Sequence, residues 1–193
     1  MNLPGIALLL HLKEVESTQT LARLLAEQGA EDRTMVWADR QTHGRGRLNR
    51  KWDSGIGGLY FSLILKPQFS PSRLTDLSLM TAHAVAFALS RQTDLETVIK
   101  PPNDVLGINK GKAKKLCGIL TEASGNSRRL DWAIIGVGIN VNNTPHHLPA
   151  ASSLKALTGK YWDLKTILRT FLDEFNKSYI RFPESSHPPS TSL

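Results

Sequence analysis

The chain has 193 residues, enough for one sizeable core and short for two. Hydrophobic residues make up 40% and charged residues 21%, as in ordinary soluble domains. A balance of 24 Lys+Arg against 17 Asp+Glu gives +7, which favours anionic partners, and the lone Cys117 excludes an internal disulfide.

Residues 6–10 are apolar but too short to span a bilayer, and no basic stretch precedes them. No signal peptide is therefore expected, and the protein reads as cytoplasmic. Residues 8–16 end in alternation and predict a strand. Ser17 or Thr18 can then cap a helix carrying Leu21, Leu24 and Leu25, with Gly29 as its stop. Residues 34–39 read as a short buried strand. It feeds into Gln41-Thr42-His43-Gly44-Arg45-Gly46-Arg47-Leu48-Asn49-Arg50-Lys51-Trp52. Residues 59–66 predict a strand stopped by Pro67, with Gly55, Gly57 and Gly58 loosening its entry.

A helix is expected over residues 72–91, with Leu77, Met80, Ala84, Phe87 and Ala88 on its apolar stripe. Residues 97–100 read as a short strand running into Pro101-Pro102-Asn103-Asp104, where the prolines bar both helix and central strand. Residues 107–115 read as a polar, basic turn. Two strong strands follow, over 116–123 and 132–141, joined by a hairpin connection at 124–129. The second contains Gly136 and Gly138, which mark a bulge or a close approach by ligand or backbone. Residues 142–160 read as loop with one short helix. Asp163 caps a last helix whose stripe is Leu164, Ile167, Leu168, Phe171, Leu172, Phe175 and Tyr179. Residues 184–193 are rich in Ser and Pro and are expected to be disordered. Before that tail the chain reads as a single α/β domain with a mixed sheet.

Four features carry chemistry. In the loop after the second strand, glycines alternate with arginines. Glycine lets backbone approach a ligand, and arginine offers a planar fork to carboxylate or phosphate oxygens. Taken alone, the loop reads equally well as a solvated basic turn. Ser17-Thr18-Gln19 reads alone as a helix cap. Asn103-Asp104 reads alone as a turn after proline, but Lys115 sits where a basic turn meets a buried strand. There it can hold its ammonium against an anion while its stem packs on apolar surface. In Gly136-Val137-Gly138-Ile139-Asn140 small residues leave room above the sheet, and Asn140 can read a polar edge.

The order and spacing of these features resemble the catalytic domain of biotin protein ligases, the biotin–[acetyl-CoA-carboxylase] ligases. The residues that carry the resemblance are Ser17-Thr18-Gln19, Gly44-Arg45-Gly46-Arg47 with Lys51-Trp52, Lys100-Pro101-Pro102-Asn103-Asp104, Lys115-Leu116-Cys117-Gly118-Ile119-Leu120 and Gly136-Val137-Gly138-Ile139-Asn140. It runs from about residue 10 to the last helix. The fold it implies is α+β, a mixed, largely antiparallel sheet flanked by helices, similar to class II aminoacyl-tRNA synthetases. The activity it implies has two steps: biotin and ATP give biotinyl-5′-AMP, assisted by magnesium, and a lysine of a biotin carrier domain then takes the biotinyl group.

The same resemblance implies the site. Ser17, Thr18 and Gln41 would hydrogen-bond the ureido ring of biotin. Gly118 and Gly136 would make room for it, Gly44 would also belong to the biotin site, and Lys115 would contact both its carboxylate and the α-phosphate. Arg45, Arg47 and Lys115 would supply positive charge, with Asp104 in a polar or metal-linked role. Asn103, Trp52 and Asn140 would lie on the nucleotide side, Asn140 near the adenine; alone, Trp52 reads equally well as core. No residue is assigned as a metal ligand.

The sequence departs from the family pattern at Pro101, where tryptophan is usual. Neither a helix-turn-helix region before the first strand nor a β-barrel after the last helix is expected, which argues against a DNA-binding repressor branch. The partner expected is a carboxylase biotin carrier domain, with no nucleic acid and no membrane, and homodimerisation is left open. A lipoate or octanoyl transferase of the same fold and a non-catalytic biotin or adenylate binder are the alternatives.

Overall fold

Alternation and apolar runs build seven strands into one sheet, in the order β1-β2-β3-β7-β6-β5-β4. The computed structural model describes residues 2–145 and 148–182. The tail over 184–193, expected to be disordered, lies outside the described residues. Strand β1 (Leu8–Val15) pairs in parallel with β2 (Thr34–Gln41), and the chain crosses between them through helix α1 (Thr18–Glu27). The other pairings are antiparallel: β2 with β3 (Leu59–Leu65), β3 with β7 (Leu130–Ile139), β7 with β6 (Lys112–Gly125), β6 with β5 (Asp104–Asn109), and β5 with β4 (Glu96–Lys100). The mixed, largely antiparallel sheet expected from the sequence is thus the observed one.

One face of the sheet is covered by α2 (Leu74–Gln92) and α4 (Leu164–Ile180), which also pack on each other. Met35, Trp37, Phe61, Leu63, Leu77, Leu89, Phe171 and Phe175 fill this main core. The other face carries a smaller core under α1, made of Ala22, Ala26, Val36, Ile64 and Ile134. This two-sided cover explains why all seven residues of β3 are buried. On the α1 side the helix packs on β2, β3 and β7. The neighbouring stretch of that face, where β6 and β7 carry their glycines, lies under the loop from residue 42 to 58.

The helix signals are local and physical. The Ser17 hydroxyl accepts from the backbone N–H of Thr20, which caps α1. Asp163 caps α4, and its carboxyl is held below its ordinary value, first by the Thr166 hydroxyl and then by backbone N–H groups of Thr166 and Lys165. Because the folded pKa is lowered, this cap supports the helix at neutral pH and weakens as the solution is acidified through the carboxylate range. A short helix α3 (Leu154–Thr158), capped by Ser153, is the one expected within the loop after β7.

Two expectations need correction. Residues 107–115 are not a turn: they contain the end of β5, a two-residue connection at Lys110-Gly111, and the start of β6. Both connecting residues have left-handed φ, 50° and 73°, the backbone that tight hairpin turns demand. Phe87 does not belong to the buried stripe of α2, being exposed. The buried residues are Leu77, Thr81, Ala82, Ala84, Val85, Ala88 and Leu89. No helix among the described residues is long and apolar enough to cross a membrane.

Phe171 is 1% exposed, with its ring 5.2 Å from that of Phe61 and 5.6 Å from that of Phe175. Phe171→Ala is expected to destabilise the domain by about 3–5 kcal/mol, measured by urea unfolding at unchanged m-value.

Candidate functional site

Sheet register sets the site. Ala38, Tyr60, Gly138, Gly118 and Asp104 form one row across five strands, each paired with the next. The row beside it runs Val36, Ser62, Gly136, Leu120. Alternation places Gly118, Gly136 and Gly138 on the α1 face, so the sheet has a strip without side chains. Above it lies a cavity of ≈ 350 Å³. A β-carbon at Gly118 would stand 2.8 Å from Cζ3 of Trp52, and one at Gly138 would fall on the indole Nε1. Trp52 therefore lies directly on the glycine strip. Its Nε1 is buried and has no hydrogen-bond partner among the described residues.

One end of the cavity is polar. Gln41 Oε1 accepts from the Thr18 N–H (2.8 Å) and the Thr18 hydroxyl (3.1 Å), and Gln41 Nε2 donates to the Ser54 hydroxyl at 2.8 Å. The Ser62 hydroxyl lies 3.0 Å from both Thr18 Oγ1 and Gln19 Oε1. Ser17, Thr18, Gln19 and Ser62 are all buried. Such groups are retained in an interior when they are hydrogen-bonded to one another or to a ligand.

The other end is cationic. Lys115 Nζ is 2.7 Å from Asp104 Oδ1 and 5.3 Å from the Trp52 ring centroid. Arg47 donates to Asn103 Oδ1 at 2.9 Å. Asn103 is itself fastened to β6, its Nδ2 donating to Ile119 O and its carbonyl accepting the Ile119 N–H, both at 2.9 Å. Among the described residues the Arg47 guanidinium thus meets a neutral amide, and its charge stays available to an anion. Arg45 instead pairs with Glu122 at 2.9 Å. On β6 the Lys115 and Leu120 positions stand roughly 17 Å apart at a strand rise of ~3.3 Å per residue. The polar floor and the ammonium are therefore at opposite ends of the glycine strip.

The loop between β2 and β3 folds back on itself. Trp52 N donates to Gly44 O at 2.8 Å and Gly46 N to Arg50 O at 2.7 Å. Leu48 and Asn49 at its apex take left-handed φ of 55° and 57°. Leu48 lines the cavity mouth and is 82% exposed. A left-handed leucine costs about 1–2 kcal/mol, so the apex is a strained, apolar tip beside the cavity. The Tyr60 hydroxyl donates to Gly55 O at 2.8 Å and pins the far end of the loop; burial pushes that phenol well above its ordinary pKa.

Ser17, Thr18, Gln41, Arg45, Arg47, Trp52, Asn103, Asp104, Lys115, Gly118, Gly136 and Asn140, all singled out from the sequence, line this one cavity. Gly44 does not line it: it is buried beneath the loop, where a β-carbon would meet Ser54 Oγ and Trp52 O. Asn140 is buried and accepts from Asn143 Nδ2 at 3.0 Å, which shapes the loop after β7. That loop reaches the cavity mouth with Pro145, Leu148 and Ala151. It is tied to Lys115 by hydrogen bonds from Lys115 N to Ala150 O and from Ser152 N to Lys115 O. Cys117 points into the main core; burial drives its thiol pKa up despite the neighbouring Lys115, so it acts as an apolar side chain.

Sequence reasoning missed Ser54, Ser62 and Glu122, and gave Gln19 no role. Glu122 was findable as the one acidic residue in the largely apolar run from Leu116 to Ala123. Ser54 and Ser62 have no such signal, because only the fold brings them to Gln41 and Thr18.

The family model described as Biotin/lipoate A/B protein ligase family matches residues 12–140. The bifunctional ligase/repressor BirA of Bacillus subtilis is 40% identical over 171 residues, covering 86% of this chain and 51% of its own. The biotin–[acetyl-CoA-carboxylase] ligase of Paracoccus denitrificans is 35% identical over 136 residues, covering 69% of this chain and 55% of its own. The chain thus spans about half the length of these curated relatives. Among solved structures, the biotin protein ligase from Aquifex aeolicus in complex with biotin and ATP is 39% identical. It superposes with a TM-score of 0.77, over 92% of this chain and 72% of the other.

Proposed function

The chain belongs to the biotin/lipoate A/B protein ligase family, and from that membership we propose that it ligates biotin to a lysine of a carrier protein through biotinyl-5′-AMP. The observation that carries this reading is a polar floor and a cationic mouth at opposite ends of one glycine strip. Biotin has that shape: a ring with urea donors and acceptors, an apolar tail, and a carboxylate. Donors and acceptors at the floor favour a urea ring over the dithiolane of lipoate, which cannot use them.

The chemistry follows from charge. In the first step a carboxylate oxygen bonds to the α-phosphorus of MgATP, the bond to the bridging oxygen breaks, and pyrophosphate leaves. Two anions must meet, so catalysis is positioning and neutralisation. Lys115, steered by Asp104 and by the Trp52 face, stands where carboxylate and α-phosphate converge. Arg47 adds a charge met only by an amide. Magnesium enters with the nucleotide as part of the substrate. In the second step a carrier lysine amine attacks the acyl carbon and AMP leaves. The partner would be the carrier domain of a carboxylase, and the described residues would form the catalytic domain of a cytoplasmic enzyme.

The mixed anhydride must be kept from water until that amine arrives. The loop from 42 to 58, fastened through Arg47 to Asn103, provides the cover. Arg47→Gly removes that fastening and adds freedom at the apex. Release of biotinyl-AMP into solution is expected to rise by about tenfold, the value of one charged hydrogen bond. A filter-binding time course of the retained intermediate measures it, and unchanged retention would refute the role.

The proposed reaction is tested by incubating the protein with labelled biotin, MgATP and a carboxylase carrier domain. Label on the carrier lysine is expected. Tight biotin binding without transfer would instead make the protein a non-catalytic binder.

A further inference from the structure

Glu122 lies on β6 facing the α1 side, with only 23% of its side chain exposed. It does not line the cavity, yet it touches two residues that do. Oε1 accepts from Arg45 Nη2 at 2.9 Å, and Oε2 accepts from Gln19 Nε2 at 2.9 Å, with Arg45 Nη1 at 3.5 Å. Arg45 belongs to the loop and Gln19 to the floor, so one carboxylate holds both.

The Gln19 contact has a consequence for polarity. An amide side chain can point either way, but a carboxylate only accepts. Glu122 therefore turns Gln19 Nε2 toward itself, and Gln19 Oε1 faces Ser62 and the space above Gly136. The Ser62 proton is drawn to that oxygen. At the far side of the floor the Thr18 backbone N–H can only donate, so it fixes Gln41 with Oε1 toward Thr18 and Nε2 toward Ser54. The hydroxyls and amides between could reverse; the acceptor-only and donor-only groups at the two ends forbid it.

We propose that Glu122 is a positioning residue that sets the donor–acceptor pattern of the pocket floor through Gln19 while holding Arg45 of the covering loop. The inference rests on the biotin-ligase reading, in which that floor meets a cyclic urea. A urea presents one acceptor and two donors at fixed positions, so a floor with reversed polarity meets it with donors against donors.

The test uses biotin-dependent exchange of labelled pyrophosphate into ATP, with KM for biotin and for MgATP measured separately. Glu122→Gln can donate to Gln19 Oε1 and lets both amides flip. Its biotin KM is expected to rise by about 10- to 100-fold, as for loss of a charged hydrogen bond, with the MgATP KM unchanged. Glu122→Asp, still acceptor-only, is expected to stay closer to the wild type. In a Gln19→Ala background Glu122→Gln is expected to add nothing to biotin KM, because the pathway is already cut. Gln19→Ala alone removes the oriented amide from the other side and is expected to raise biotin KM with the MgATP KM unchanged, so the test does not depend on one variant folding. Equal rises in both KM values, or full additivity with Gln19→Ala, would overturn the proposal. An unsubstituted protein that shows no biotin-dependent exchange would overturn the ligase reading itself, and this inference with it.

Discussion

Lys115→Ala is expected to abolish adenylate formation while leaving the fold in place. The ammonium is 2.7 Å from Asp104 Oδ1 and 5.3 Å from the Trp52 ring centroid. In the proposed reaction it is the cation placed where the two reacting anions must converge. Alanine removes that charge and also leaves the Asp104 carboxylate uncompensated at the mouth. The site thus loses one positive charge and gains the full field of a negative one. Removal of a single group aimed at charge developing in a transition state typically costs about 10²–10³ in rate. The second deficit pushes the loss to about 10³–10⁴. A single-turnover burst of pyrophosphate measures it, with circular dichroism to confirm folding. Both side chains keep about a fifth of their surface exposed, 21% and 20%, so the orphaned carboxylate stays partly hydrated. Pyrophosphate release near the wild-type rate would remove Lys115 from the chemistry.

Gly138→Val is the second large effect. Gly138 lies in the row that joins Tyr60 to Gly118, beneath the indole of Trp52. Valine would be well suited to a strand, and the backbone there needs no left-handed φ. The backbone itself therefore tolerates the substitution. Its side chain would nonetheless occupy the place of the indole, forcing Trp52 off the strip and with it the segment whose N–H bonds Gly44 O. Overpacking of this kind costs about 1–3 kcal/mol, and here the cost falls on the closed loop and the ligand. Biotin affinity is expected to fall about 10- to 100-fold by isothermal titration, with the protein still folded by circular dichroism. Wild-type affinity in Gly138→Val would show that the strip is not the channel.

Which parts of this molecule its sequence reveals depends on the range of the forces involved. The helix caps at Ser17 and Asp163 and the buried strand at 59–65 follow from local rules, and the structure shows them. The hairpin at Lys110-Gly111 was missed because the run from Asp104 to Asn109 includes a glycine and little β-branching. Gly107 is there for a tertiary reason: a β-carbon would meet Leu116 and Leu95 at 2.6 and 2.7 Å. Phe87 was misplaced because its spacing fits the apolar stripe; only packing against α4 and the sheet decides which face is inside.

The site divides along the same line. Glycines, arginines and Lys115 are legible because few residue types can make room or carry charge in that pattern. Their partners are not. Glu122 is 77 residues from Arg45 and 103 from Gln19 along the chain. Asn103 is 56 residues from Arg47, and its link to that arginine gives the loop a fastening that loop composition alone does not reveal. The loop, which its composition alone leaves open between an anion clamp and a solvated basic turn, is braced, with one arginine committed to a carboxylate and the other resting on an amide.

In the proposed reaction this cavity joins the biotin carboxylate to the α-phosphate of ATP. Exchange of labelled pyrophosphate into ATP, measured with biotin, with lipoate and with neither, tests it most directly. The geometry predicts exchange that depends on biotin, with lipoate no better than the blank. Exchange driven by lipoate, or none with either acid, would contradict it.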